Sequence, residues 1–177
     1  MTLRRFEHDQ PQIDPSAYVD AAALVIGDVT LGADSSLWPF SVLRGDVNRI
    51  RIGARSNIQD HSVLHVSHPG PHRPQGNDLW VGDEVTVGHR VILHGCRIEN
   101  CCLIGMGAIV MDGAVLRTHT LLGAGSLVPP DKILEGGYLW LGTPARKVRE
   151  LTAAELDGLA YSAQHYVELK NRHLAER

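Results

Sequence analysis

Val81-Gly82-Asp83-Glu84-Val85-Thr86-Val87-Gly88-His89-Arg90-Val91-Ile92-Leu93-His94-Gly95 is the stretch in which the period of this chain is plainest. Val81, Val87 and Leu93 follow one another at steps of six, and Val85 and Val91, each four residues on from the preceding member, are β-branched. Working outward, the same step yields Ile13, Val19, Val25, Leu31, Leu37 and Leu43, then Ile52, Ile58 and Leu64. A last run gives Ile98, Ile104, Val110, Leu116, Leu122 and Val128. The slot four residues later is small or β-branched, as at Ala17, Val29, Ser41, Ser62, Ala108 and Ser126; His68, Arg97 and Lys132 break this rule. A six-residue apolar period is that of a parallel β-helix built from hexapeptide repeats.

Strands alternate their side chains between two faces. The apolar residue that heads each hexad and the small residue two before it therefore point inward, and the residue after the head points outward. Three hexads close one triangular coil, so the eighteen apolar positions predict six coils. Leu43, Leu64 and Leu93 then lie on one face, one coil apart, and their outward neighbours are Arg44, His65 and His94. His65 and His94 are expected to stack on the outside of the prism. His89 is expected on another face, near a corner and over Asp60. A cyclic trimer would bring the His65/His94 edge of one subunit to the His89 edge of the next. Three imidazoles meeting this way suit a catalytic zinc site, which keeps a fourth position open. Two irregularities interrupt the register: three extra residues near Arg49–Arg51 and one residue missing before Ile98.

The chain has 177 residues, a net charge of −3 and 5% aromatic residues. One domain over 1–177 is the natural expectation, with the β-helix over 13–133. Low aromatic content suits a narrow interior filled by Val, Ile, Leu and Ala. The charge balance provides no electrostatic reason to expect nucleic acid or an anionic membrane as a partner. Arg44, Arg49, Arg51 and Arg55 sit near the proposed site and read as interface or substrate-attracting charges. The N-terminus has no apolar secretory core, and no stretch approaches the ~20 apolar residues of a membrane span. Cys96, Cys101 and Cys102 are not a disulfide framework; Cys102 falls in an inward small-residue slot. A cytoplasmic location is expected.

Residues 1–12 read as a lead-in. Ser67–Asp78, with three prolines and two glycines, reads as an exposed loop bordering the site. His68 and His72 on it are candidate proton carriers, or simply solvated; His8, His119 and His173 read as solvated or satisfied. Gly136–Glu150 reads as a crossing. A C-terminal helix over 152–176 follows, with Thr152 and Glu155 forming a capping box. Its inner stripe is Leu156, Leu159, Ala163, Tyr166 and Lys170; Tyr161 and His165 fall outside it.

Arg44-Gly45-Asp46, Asn57-Ile58-Gln59-Asp60-His61-Ser62-Val63-Leu64-His65 and Val87-Gly88-His89-Arg90-Val91-Ile92-Leu93-His94-Gly95 together resemble the gamma-class carbonic anhydrase family, over most of the chain and nearest its shorter bacterial members. The resemblance implies a left-handed β-helix and a homotrimer with a metal at each interface. His65 and His94 would come from one chain and His89 from its neighbour. Zinc is the implied metal, with iron(II) or cobalt(II) as alternatives, and the implied reaction is the hydration of carbon dioxide to bicarbonate by hydroxide generated on the metal. In this scheme Gln59 orients the hydroxide, Arg44 and Asp46 pair across the interface, and Asp60 supports that network; interface glue alone is the bland reading of these three charges. Val47 stands where the best-studied type carries a glutamate, the loop lacks an acidic proton shuttle, and Tyr161 substitutes for an asparagine that positions carbon dioxide. These departures imply low turnover. Two competing readings are an acyl-CoA thioesterase or acyltransferase, since hexapeptide prisms host those too, and a weakly active metal-binding trimer. Fold alone does not choose among them.

Overall fold

The computed structural model describes residues 2–176; Met1 and Arg177, included in the single-domain assignment, lie outside the described residues. The chain is a parallel β-solenoid followed by one helix. Each expected hexad head sits in the predicted register. All eighteen are in the interior, and only Ile13 and Val19 are less than fully buried.

Three faces run the length of the prism. The first stacks Leu3–Arg4, the start of Leu24–Leu31, the start of Val42–Ile52, Val63–His65, Ile92–His94, Ile109–Val110 and Leu127–Val128. The second stacks Gln12–Ile13, the far ends of Leu24–Leu31 and Val42–Ile52, Leu79–Val81, Arg97–Ile98, Val115–Leu116 and Ile133–Leu134. The third stacks Tyr18–Val19, Ser36–Leu37, Asn57–Ile58, Thr86–Val87, Leu103–Ile104, Leu121–Leu122 and Tyr138–Leu141. Among the described residues each face thus carries seven strands, one more than the hexad count predicts. The additions are at the ends. Leu3 pairs with Val25, so the supposed lead-in is already part of the wall. Ile133–Leu134 pairs with Val115–Leu116. The supposed crossing continues the stack at Tyr138–Leu141 and folds back as the antiparallel strand Arg146–Glu150. Leu134 and Trp140 continue the six-residue step from Val128, and Trp140 is buried at the inward position.

Both register breaks are where the sequence places them. Gly45 pairs with Gly27 at a spacing of 18 and Ile50 with Val29 at 21, so three residues bulge between them. Leu93 pairs with Leu64 at 29, against 18 higher up, so the mid-chain loop adds 11 residues; Val110 follows Leu93 at 17, one short of three hexads.

After twelve of the eighteen heads the third residue turns the corner with a positive φ. Asp34, His61, Arg90 and Asp131 hold φ between 57° and 60°, a region costly for residues with a Cβ. The backbone hydrogen bonds of the stack hold them there: Arg90 N donates to Asp60 O at 2.9 Å and Asp131 N to Asp112 O at 2.9 Å.

The helix Ala153–Ala175 lies over the third face. Its capping box is complete: Glu155 N donates to Thr152 Oγ1 at 3.2 Å and Thr152 N to Glu155 Oε2 at 2.8 Å. Leu159, Ala163 and Lys170 are buried against the prism. Lys170 stands in the predicted apolar stripe but is only 2% exposed; its Nζ donates to Asp34 Oδ1 at 2.6 Å and Ser16 O at 2.7 Å, which satisfies the charge where its stem packs. No helix among the described residues is long and apolar enough to cross a membrane.

The outward residues of the three faces differ. The third is covered by the helix. The second carries Thr30, Arg51, Trp80 and Arg97, with the Arg97 guanidinium 4.1 Å from the Trp80 ring centre. The first carries an unbroken apolar column, Leu24, Val42, Val63, Ile92, Ile109 and Leu127, in which Val63 and Ile92 are exposed.

Candidate metal centre

The two edges of that apolar face hold the three histidines singled out by the sequence. At the edge where the chain leaves the face, Arg44, His65 and His94 are register partners on successive coils. His65 Nδ1 lies 3.1 Å from His94 Nε2. The remaining nitrogen of each ring faces a carboxylate: His65 Nε2 is 3.1 Å from Asp46 Oδ1, and His94 Nδ1 is 2.9 Å from Asp112 Oδ2. At the edge where the chain enters the face, His89 Nδ1 is 2.8 Å from Asp60 Oδ2.

An ionised carboxylate only accepts hydrogen bonds, so each ring nitrogen facing one carries the proton. In a neutral imidazole the other nitrogen then bears a lone pair. Burial, reinforced by the Arg44 and His94 charges, outweighs the pull of Asp46 and lowers the pKa of His65, which favours its neutral form. When both rings are neutral, His65 Nδ1 and His94 Nε2 turn two lone pairs toward each other. Such a pair is stabilised by a proton or cation shared between the rings. His89 Nε2 is a third such donor, on the opposite edge. Among the described residues, no group of three His, Cys, Asp or Glu side chains within the single chain is arranged to hold a metal.

The carboxylates are themselves held. Arg44 Nη1 lies 2.5 Å from Asp46 Oδ2. Burial opposes ionisation of Asp46, but the Arg44 and His65 hydrogen bonds prevail and its pKa falls below the usual value. Within the chain, residues i and i+2 of a strand share a side, so Arg44 reaches Asp46. Asp112 behaves similarly: burial raises its pKa, hydrogen bonds from Ser67 and Asn77 and the His94 charge lower it, and the net effect is downward.

Gln59 is 5% exposed at the His89 corner, and its Nε2 donates to Asn57 Oδ1 at 3.1 Å. Asn57 Nδ2 donates to Thr86 Oγ1, which lies 3.0 Å from Ser162 Oγ on the helix. Tyr161 is 71% exposed on that helix, stacked on His165 with ring centres 6.0 Å apart, and shares no hydrogen bond with the three histidines. Within one chain it is therefore not part of the cluster. Two site neighbours escape sequence reasoning. Asp112 sits one coil from Gly95, a position visible in the register but with no motif to mark it. Tyr166 belongs to the inner stripe of the helix, yet burial and the nearby Asp60 charge raise its phenol pKa. Cys102 is buried, which pushes its thiol up to about 12, and Cys101 rises to about 11 by burial and its bond to Glu84, so neither is a nucleophile near neutral pH.

No family model matches the chain. It is 50% identical over 172 residues to protein YrdA of Escherichia coli, a match covering 97% of this chain and 94% of that one. It is 40% identical over 177 residues to mitochondrial gamma carbonic anhydrase 2 of Arabidopsis thaliana, covering 99% of this chain but only 63% of the longer plant protein. Among solved structures, a hexapeptide transferase family protein from Anaplasma phagocytophilum superposes with a TM-score of 0.89 at 39% identity, covering 96% of both chains. With its register, its histidines and these relatives together, the chain belongs to the gamma-carbonic-anhydrase-like family of hexapeptide-repeat proteins.

Proposed function

We propose that the chain assembles as a homotrimer with zinc sites made of His65 and His94 of one subunit and His89 of the next, and that these sites catalyse the reversible hydration of carbon dioxide to bicarbonate. One observation carries the reading: the uncovered apolar face is bordered by a two-histidine half-site on one edge and a one-histidine half-site on the other. Cyclic packing of that face buries the apolar column and joins unlike edges. Phe40, stacked on His61 with ring centres 5.0 Å apart, and Met106 extend the apolar surface at the His89 edge.

The residues fit a divalent metal. Zinc ligands about 2.0–2.1 Å from the ion in a tetrahedron stand roughly 3.3 Å apart, and His65 Nδ1 and His94 Nε2 are 3.1 Å apart. All three imidazoles are oriented through carboxylates, as metal-ligating histidines commonly are. Iron(II) or cobalt(II) suits the same imidazole set. The chemistry supplied by such a metal is Lewis acidity, which makes water a nucleophile near neutral pH. The chain's own groups do the rest. Asp46, Asp60 and Asp112 keep the N–H of each ring away from the site. Arg44 holds Asp46 ionised. Gln59, its amide nitrogen committed to Asn57, has its carbonyl oxygen available to accept from the reacting water. Tyr161 offers an exposed hydroxyl for carbon dioxide in a neighbouring subunit's site. Val47 beside Asp46 carries no proton, and His68 and His72 on the loop are the nearby groups able to relay one, so turnover is expected to be low.

A second reading, an acyl-CoA thioesterase or acyltransferase, draws on the likeness to a hexapeptide transferase family protein. Stopped-flow carbon dioxide hydration on zinc-loaded trimer, with a short acyl-CoA thioester assayed in parallel, separates the two. Hydration lost on metal removal supports the proposal; turnover of the thioester alone overturns it.

A further inference from the structure

Both oxygens of Asp112 are committed. Oδ2 faces His94 Nδ1 at 2.9 Å, while Oδ1 accepts from Ser67 Oγ at 2.5 Å and from Asn77 Nδ2 at 3.1 Å. Ser67 and Asn77 are the two ends of the mid-chain loop, and their backbones pair at 3.0 and 3.1 Å. Gly76, at φ +63°, lets that loop close; a Cβ there would fall 2.3 Å from Ser67 O. The corner beside His94 is also bare: a Cβ on Gly95 would fall 2.4 Å from Asp112 Oδ1 and 2.7 Å from Asn77 Cβ. Room has thus been left at the one place where Asp112 can reach the histidine, and the loop base holds the carboxylate there.

We propose that Asp112 is a positioning residue that fixes His94 with its Nδ1 protonated and its Nε2 lone pair turned toward His65, with the loop base as its support. The inference rests on the metal-site reading above for its consequence, but the ring it orients exists without any metal. An acceptor-only carboxylate at Nδ1 leaves the neutral ring one tautomer. Removing it frees the ring to take the other, in which Nε2 carries the proton and no longer donates a lone pair.

The test uses the full-length protein. In metal-free samples, histidine ring ¹⁵N shifts, assigned with His94→Ala, are expected to show the Nδ1–H form of His94 in the wild type and a mixture in Asp112→Ala. In competition with a chromophoric chelator, Asp112→Ala is expected to bind zinc about 10–100-fold more weakly, the usual cost of losing such a partner. Asp112→Asn leaves one acceptor oxygen for the two acceptor duties, so it is also expected to bind zinc more weakly than the wild type, and it serves alone if the alanine variant does not fold. Unchanged zinc affinity in both variants, or an unaltered His94 tautomer in Asp112→Ala, overturns the assignment. A wild-type protein that takes up no zinc counts instead against the metal reading, and the tautomer comparison then decides the role of Asp112 on its own.

Discussion

His89 Nδ1 lies 2.8 Å from Asp60 Oδ2 on the adjacent coil, at the opposite edge of the apolar face from His65 and His94. The contact spends one ring nitrogen on a carboxylate and leaves Nε2 as the ring's other donor atom. On the proposed reading, in which the three rings share one metal, a donor set divided between two edges is completed by a second subunit.

His89→Ala is expected to lower bound metal from about one ion per chain to near zero, while the solenoid, whose core His89 does not enter, keeps its thermal unfolding. Elemental analysis of the purified variant checks this. A variant that retains full metal content would show that His89 is no ligand.

Ile92→Glu places a charge in the apolar column without touching the interior, since Ile92 points outward and Leu93 inward. Desolvating an unpaired carboxylate at an interface is prohibitive. The expected outcome is a folded monomer by analytical ultracentrifugation, with loss of metal despite three intact histidines. A metal-replete monomer would contradict assembly-dependent binding.

Lys170→Met retains the stem that packs against the prism but removes the ammonium held by Asp34 and Ser16 O. Asp34 is partly exposed and can recover water, so the cost is expected to be about 1.5–3 kcal/mol, the range for a hydrogen bond to a charged group. Urea denaturation followed by circular dichroism measures it.

Glu155 supplies a pH dependence whose sign follows from its pKa, depressed from 4.5 to about 2 by the Arg149 side chain and then by the Thr152 N–H. A group more acidic in the folded state stabilises it above the unfolded pKa and ceases to do so as pH falls through the folded one. Its contribution to helix anchoring is therefore complete above about pH 4.5 and lost toward pH 2. Melting curves across that window are expected to be flatter for Glu155→Gln than for the wild type.

The pairing of His65 with His94, and of His89 with Asp60, was legible in the sequence because a solenoid turns register into geometry. A fixed step between coils converts spacing along the chain into vertical neighbours. The ends of the solenoid were less legible: Leu3 joins the stack through backbone pairing with Val25 at a spacing off the six-residue count, and Trp140, though on that count, is an aromatic where every other head is aliphatic. Asp112 escaped notice because its partners Ser67 and Asn77 lie 45 and 35 residues away and are brought to it by a loop that follows no period.

What the sequence determined by itself is the coil: which residues point inward, which share a face, and where an insertion and a deletion interrupt the repeat. These follow from strand alternation and a constant period, both local properties. Only the tertiary structure decided that Arg44 closes onto its own Asp46, that Asp112 grips His94, and that the first face alone is left apolar and uncovered. Those outcomes depend on where a helix docks and a long loop closes, through contacts between residues far apart in the chain whose free energy is invisible to any local pattern.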